Sequence, residues 1–518
     1  MNEPTPTTAN VTTTDVLIIG AGPTGLTLAC DLARRGVSFL LLERSTTPAT
    51  ASRAKTIQPR TMEVADDLGV AGRVLTEGRV NVPTRRYGHD QIISEAVELA
   101  GGVHTTDAPY PPVWLSQPRF EQILRERLTE LGETISWGSE VTDLRQDDDG
   151  VTATIETTAG AGAGSRTVRA RYAVGADGGR STVRALAGME LHGTSLTDQR
   201  WHLGDVRVTG LSRHCQHLWT DKDDGLLSLF PLPGTDLWQF QASIPADQAE
   251  PEEPSLELFR SIFAERAGVP GVVIQDVAWL SLYRINVVLA DHYRSGRILL
   301  AGDAAHIHSP AGGQGMNTGI QDAYNLGWKL AALLDGADPA LLDTYEHERR
   351  PVARNVLDDS TTRLGNVMRA AGGESGGPSA QQGLTDERTT GLGIAYAHSP
   401  LTHGPGAGVR APDAPCRNAD AGRPTRLFDL LRGPQWTLLS FGSTAVQQTP
   451  NGPRTFRVTT DPTATGPDTV IDTDDLAHHA YQVTGDELIL IRPDGYIAAR
   501  RPANDLPAIL ALAATNGL

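Results

Sequence analysis

The segment Asp15 to Glu43 constrains this chain more than any other. Val16-Leu17-Ile18-Ile19 is an unbroken apolar run, suited to a central strand of a parallel sheet that is covered on both faces. It enters the loop Gly20-Ala21-Gly22-Pro23-Thr24-Gly25, and the pattern beyond predicts a helix that reaches Arg35 and stops at Gly36. A second apolar strand, Val37 to Leu42, closes on Glu43 and completes a βαβ unit of about 30 residues. Gly20 permits the tight turn, Gly22 lets a diphosphate reach the backbone, and Gly25 lets helix pack on strand. Pro23 and Thr24 open the helix, whose first N–H groups and positive dipole end suit an anion. Glu43 stands eighteen residues beyond Gly25, where a carboxylate can accept both ribose hydroxyls. A dinucleotide is expected, and the loop alone does not choose between FAD and NAD.

The 518 residues allow about two to four domains, each with its own core. A charge of −17, from 45 Lys plus Arg against 62 Asp plus Glu, argues against nucleic acid or an anionic membrane as partner and favours small molecules. Cys30, Cys215 and Cys416 are far apart without any CxxC, so neither a disulfide framework nor a zinc cluster is expected, and a reducing cytoplasm fits. The opening MNEPTPTTANVTTTD has neither the basic nor the apolar region of a leader, and no run of about 18 apolar residues offers a membrane span.

Further along, the polar loop around Arg53, in SRAKTIQPRTME, leads into a helix, and Gln117 to Leu131 places Phe120, Ile123, Leu124, Leu128 and Leu131 at helical spacing. Glu140 to Leu144, Val151 to Thr157 and Val168 to Ala176 read as strands, with Ala159 to Gly164 as a flexible hairpin tip. Leu226 to Phe230 and Leu237 to Ile244 read as a hairpin, with Trp238, Phe240 and Ala242 on one face and Leu237, Gln239 and Gln241 on the other. Four of the eight tryptophans fall between residues 200 and 290, so this sheet, with Trp219, Phe230, Trp238 and Phe240, is the expected substrate wall. Arg297 to Ala301, a glycine-rich loop to Gly319 and a helix from Ile320 to Leu334 return to the texture of a nucleotide fold. The expected order is a first FAD-binding part at 14–190, a substrate domain at 191–290, a return to the first domain at 291–370, a linker or lid at 371–415, and a terminal α/β module at 416–518.

Two more apolar strands end in an acid beside glycine, at Asp177-Gly178 and at Gly302-Asp303. Residues after the second, through Gly313, Gly315, Met316 and Asn317, precede a helix whose N–H groups can support partial negative charge on a flavin ring. GAGPTGL at Gly20 to Leu26, the DG element at Asp177 and GDAAHIHSPAGGQGMNTGIQDAYNLGWKL at Gly302 to Leu330 together resemble the flavoprotein aromatic hydroxylases of the para-hydroxybenzoate hydroxylase type, in their phenol and aromatic polyketide branch. The resemblance implies an α/β fold: a Rossmann-like FAD-binding domain, an interleaved antiparallel-sheet substrate domain and a thioredoxin-like tail. With Cys416 as its sole cysteine, the tail has no dithiol and is expected to be a structural, packing or dimerising module, in a monomer or homodimer.

Residue by residue, the resemblance implies that Glu43 binds the adenosine ribose with Arg44 beside it, and that Gln117 meets the ribityl or diphosphate. It places Val141 at the adenine through its backbone, and Asp303 at the ribityl and diphosphate. Pro310 and the stretch Gly312 to Asn317 border the isoalloxazine, Arg53 lies near the ring, and Asp177 is tied to both FAD and NADPH handling. Arg53 and Pro310 are the expected catalytic positions. His306 and His308 lack a third ligand, so no metal is expected, and His306 reads as structural within GDAAH. Ser309 has no GxSxG elbow, and the chain has no WxWxIP string of a flavin halogenase.

The implied activity is hydroxylation of a phenolic or polycyclic aromatic compound, with FAD as cofactor and NADPH or NADH and O₂ as co-substrates, through a flavin C4a-hydroperoxide. The protein's part is placement and dryness. Oxygen insertion of Baeyer–Villiger type or oxidative ring rearrangement by the same intermediate is the alternative, and a non-catalytic flavin-binding protein is a remote one.

Overall fold

The loops that end three neighbouring parallel strands meet at one edge of a sheet. The computed structural model describes residues 12–88, 91–97, 105–158, 164–221, 225–244, 252–308, 313–371, 387–442 and 446–515. In its first sheet Thr12–Ile19 pairs in parallel with Phe39–Glu43 on one side and Gly164–Gly175 on the other, and Gly164–Gly175 pairs in parallel with Ile298–Leu300. Parallel pairing puts the carboxyl ends on the same side, so the loops at Gly20, Asp177 and Gly302 converge although nearly 300 residues separate the first from the last. The first strand is buried from Val16 to Ile19, as its apolar run requires.

The first helix, Pro23–Arg34, packs between Gln117–Glu130 and the long helix Gln314–Leu334. A side chain added at Gly319 would meet Thr24 Oγ1 at 2.5 Å, and one at Gly327 would meet an Asp31 carboxylate oxygen at 2.3 Å. Those two glycines are what allow the helices to approach. The long helix starts six residues before the Ile320 predicted from its apolar pattern, because Gly313, at φ 62°, sets a left-handed start and the polar first turn is already helical. The strand predicted from Val37 begins at Phe39. The hairpin tip expected at Ala159 to Gly164 lies, up to residue 163, outside the described residues.

The second sheet has eight strands, in the order His306–Ile307, Val273–Ala290, Leu191–Thr209, Leu237–Ile244, Gly225–Pro231, Gln216–Asp221, Pro83–Gly88 and Gln91–Val97. Its last two strands come from within the stretch assigned to the FAD domain, since Pro83–Gly88 joins Gln216–Asp221 in parallel. One face of this sheet is closed by the helix Leu256–Arg266. The third sheet, seven strands from Pro415 to Pro502, has the parallel core Thr437–Phe441, Arg454–Thr459 and Thr469–Ile471 flanked by antiparallel strands Glu487–Ile491 and Ile497–Pro502.

This terminal module is docked firmly. Trp328 of the long helix meets Trp436 edge-on, with ring centroids 5.6 Å apart, inside one apolar cluster that also holds Leu341, Leu438, Leu488 and Leu490. Of the linker or lid expected at 371–415, residues 372–386 lie outside the described residues. From residue 387 to 415 the chain is a strap, with Thr390, Tyr396 and Leu401 buried and Arg410 paired to Glu63. No pattern in the residue order signals this, because the anchoring is by scattered side chains, apolar and polar, rather than by an apolar period. Among the described residues no helix is long and apolar enough to cross a membrane.

Candidate cofactor and substrate site

The three glycines of the first loop do three different things. Gly20 stands at φ 105°, and an added Cβ would lie 2.4 Å from the Ala176 carbonyl oxygen. A Cβ at Gly25 would lie 1.9 Å from the Gly20 carbonyl oxygen, so only glycine lets the helix sit this close to the strand. A Cβ at Gly22 would meet nothing within 4 Å, which is open space facing a helix start with Pro23 in its first turn and no side-chain cap. That is a cradle with unused backbone donors. Thr24 is turned inward against Gly302 and Gly319. Glu43 accepts the Ala21 N–H at 2.9 Å and the Ser45 N–H at 2.9 Å, which fixes its carboxylate beside the loop, and Arg44 is exposed next to it.

Across the sheet edge, Gly302–Ala304 forms a single 3₁₀ turn that presents Asp303. Asp303 retains solvent contact, no described donor bonds its carboxylate, and yet the surrounding protein raises its pKa, with Arg53 and His306 opposing. Burial pushes the Tyr283 phenol up to about 12, with the charges of Asp303 and Arg53 acting on it. Arg53, Asp303 and Tyr283 therefore lie within electrostatic reach of one another at this sheet edge. Asn317 ties the start of the long helix to the segment Thr56 to Gln58: the buried amide donates to Thr56 O at 2.9 Å and Gly313 O at 2.7 Å, and its oxygen accepts the Gln58 N–H at 2.9 Å. Gly315 has open space where a side chain would be, and Met316 is partly buried beside it. Pro310 lies outside the described residues.

Other expected positions are occupied within the protein. Gln117 accepts the Ala54 N–H at 3.2 Å and donates to Glu121 at 2.9 Å. Asp177 takes Ser181 Oγ at 2.5 Å and the N–H groups of Thr182 and Val183, so it caps the short helix Thr182–Leu186. Val141 is buried at an irregular step in the hairpin Ser139–Gln146 and Val151–Thr157. His306, fully buried, bonds Asp322 at 2.6 Å through Nε2 and His308 Nε2 at 2.7 Å through Nδ1. Asp322 also accepts from Arg349 Nε at 2.7 Å, which holds its carboxyl down to about 2.

The expected substrate wall needs correction. Trp219, Trp238 and Phe240 are 2%, 0% and 0% exposed and pack with Phe259 and Phe263 of the closing helix. A side chain with no accessible surface has none to offer a ligand. The strand alternates as expected, but its apolar face is the core face. Phe230 belongs to the opposite face: it pairs with Gln239, lies beside Trp114 and carries Lys55 Nζ 3.7 Å above its ring centroid.

That face holds residues that neither motif nor periodicity singles out. Lys55 Nζ donates to Gln239 Oε1 at 2.9 Å, Gln239 Nε2 donates to Ser52 O, and Asp205 accepts the Ser52 N–H at 2.7 Å. Burial lowers the Lys55 pKa to about 7, against the partial support of Asp205, and raises that of Asp205 to about 6. Their one trace in the sequence is Gln239 and Gln241, two long amides alternating with core aromatics where a solvent-facing strand would tolerate any polar residue.

A family model described as "FAD binding domain" matches residues 13–360, and one described as "Aromatic-ring hydroxylase, C-terminal" matches residues 404–516. The chain is 40% identical over 497 residues to a flavin-dependent monooxygenase of Mycobacteroides abscessus, covering 93% of this chain and 96% of that protein. It is 37% identical over 516 residues to the 6-methylpretetramide 4-monooxygenase of Streptomyces rimosus, covering 94% and 90%. Among solved structures it is similar to a ternary complex of aklavinone-11 hydroxylase with FAD and aklavinone, with a TM-score of 0.79, 25% identity, and 97% and 99% of the two chains covered.

Proposed function

From the premise that this chain belongs to the FAD-binding aromatic-ring hydroxylase family, and so is an FAD-dependent monooxygenase, we propose that it uses NAD(P)H and O₂ to place one oxygen atom on a phenolic or polycyclic aromatic ring of polyketide type. The observation that carries this reading is the convergence of the three strand-end loops, with open backbone at Gly22 and an Asp303 that no described donor bonds, together with the sheet face that holds Phe230 and Lys55. Similar proteins act on 6-methylpretetramide and bind aklavinone, which supports a fused-ring substrate.

The residues present fit FAD. The Gly20 to Gly25 turn and the helix start would hold the diphosphate, Glu43 the ribose and Asp303 the ribityl chain, and the N–H groups from Gly313 to Asn317, with Arg53, would serve the ring system. Bound FAD supplies the two-electron reduction and the activation of O₂. The protein supplies orientation and a dry wall: Trp114 and Phe230, with ring centroids 5.8 Å apart and planes 52° to one another, form an aromatic corner for a ring, while the core behind Phe230 keeps its sheet rigid. The terminal module contributes packing against the long helix.

The test is direct. Purified protein should be yellow, and a polycyclic phenol should accelerate NAD(P)H oxidation with matching O₂ uptake and one ¹⁸O atom in the product. Bound FAD without phenol-stimulated oxidation would reject the reading. An ¹⁸O atom within an enlarged ring, rather than on it, would mark insertion of Baeyer–Villiger type.

A further inference from the structure

We propose that Lys55 takes the proton from the hydroxyl of a phenolic substrate and holds the resulting phenolate beside the ring of Phe230. The proposal rests on the monooxygenase reading and deepens it by naming the acid–base residue and the ionised form of the substrate.

The composition makes this lysine unusual. Of the 45 basic residues only three are lysines, Lys55, Lys222 and Lys329, and the rest are arginines. Arginine serves every purpose that needs a fixed positive charge, but its guanidinium does not deprotonate within a protein. A lysine inside a cleft, in a chain that otherwise relies on arginine, offers a cation that can become a base.

Its placement fits that use. The segment Ser52 to Gln58 is pinned at one end to the sheet, by Asp205 on the Ser52 N–H, and at the other to the long helix, by Asn317 on Thr56 and Gln58. Lys55 thus stands between the substrate face of the sheet and the start of the long helix. Its ammonium form has three N–H donors, one acceptor in Gln239 Oε1 and the face of Phe230. Gln239 Oε1 already receives the Gln241 amide at 2.7 Å. No described carboxylate lies within ion-pair distance of Lys55, and Asp205 is the titratable group that acts on it. The charged form is short of partners, so the amine is accessible near neutral pH. A phenolate oxygen is the partner the ammonium lacks.

The step balances. The phenolic O–H bond breaks and an N–H bond forms, so phenol and amine become phenolate and ammonium without net charge entering the cleft. The phenolate enriches the ring carbons ortho and para to it, where an electrophilic oxygen is accepted. The ring hydrogen displaced by the new oxygen ends as the proton of the new hydroxyl, and the amine returns when the first hydroxyl re-forms. General base catalysis of this kind contributes about 10²-fold or more.

Three lysines also make the test tractable. In FAD-loaded enzyme whose amines carry ¹³C-dimethyl groups, the Lys55 signal is identified by its loss in Lys55→Arg, which restores charge and keeps the bond to Gln239 within reach. Lys55 should titrate near pH 7 and move up by about one unit or more when 1,8-dihydroxyanthraquinone is added. The dye's ionisation band should appear at lower pH on the parent holoenzyme than on Lys55→Met. Titration of Lys55 above about pH 9 in the holoenzyme, or identical ionisation of the dye on parent and Lys55→Met, would overturn the proposal. A holoenzyme that takes up no O₂ with any phenol would overturn the proposed function instead, and the lysine titration reads independently of turnover.

Discussion

Two lysines lie among the described residues, Lys329 fully buried and Lys55 partly so, and their surroundings are opposite in kind. Lys329, on the long helix, donates to Glu348 at 2.7 Å and to Asn325 at 2.8 Å. Glu348 in turn accepts from both nitrogens of the Arg492 fork, at 2.6 and 2.9 Å, and from Ser399 at 2.6 Å. Arg492 also bonds Asp494 and lies within 5.2 to 5.7 Å of the ring centroids of Trp328, Tyr396 and Tyr496. Nearly every polar atom there has a partner, and the cluster joins the long helix, the strap and the terminal module. Lys55 has one amide, one ring and a carboxylate beyond ion-pair reach. A completed network fixes one arrangement, whereas an incomplete one leaves capacity for a ligand.

The strongest way to break the contrast is Glu348→Gln. The substitution leaves Lys329 and Arg492 buried with too little negative charge, and loss of one partner from a buried pair costs about 3–5 kcal/mol. Urea unfolding should show a much lower midpoint, with tryptophan fluorescence reporting that Trp328 and Trp436 separate early in the transition. Arg492 and Lys329 hold the Glu348 carboxyl far below the usual range. Its contribution is thus complete above the unfolded value of about 4.3 and is lost only as pH falls toward the folded one. The gap between parent and variant should be full at pH 7 and shrink only in acid.

Lys55→Met should have the opposite sign. The folded value of about 7 lies below the unfolded lysine value of about 10.4, so between them the unfolded chain binds more protons and parent stability rises with pH. Below about pH 7 the cost of holding the ammonium is fully present, and methionine removes it. After the lost Gln239 bond is discounted, the variant should be more stable by about 1–2 kcal/mol at pH 6. That advantage should fade as pH approaches 10. A loss at pH 6 as large as that of Glu348→Gln would place Lys55 with the completed networks.

The same division explains what is legible in the residue order. The first loop, Glu43 and the strands ending at Asp177 and Asp303 are legible because glycine spacing and apolar runs are local, and parallel pairing then brings them together. The segment Leu237–Ile244 is legible as a strand but not as to which face meets the core, since the closing helix Leu256–Arg266 decides that. Lys55 and Asp205 are 150 residues apart, and Lys329 and Arg492 are 163 apart. Neither juxtaposition leaves a periodic trace.

Asp205→Asn makes the smallest change and isolates the electrostatic part of the contrast. Asparagine can still accept the Ser52 N–H that Asp205 now receives at 2.7 Å, so the pinning of the segment survives. What disappears is the negative charge that supports the Lys55 ammonium, so the Lys55 titration should move below about 7 by roughly half a unit to one unit. Asp205 has its own signature: burial raises its folded value to about 6, so its contribution is complete below the unfolded value of about 3.9 and lost as pH rises through 6. The asparagine variant should therefore gain on the parent between pH 4 and pH 8. An unmoved Lys55 titration would mean that desolvation alone sets it, and that the cleft holds a lone amine rather than a coupled pair.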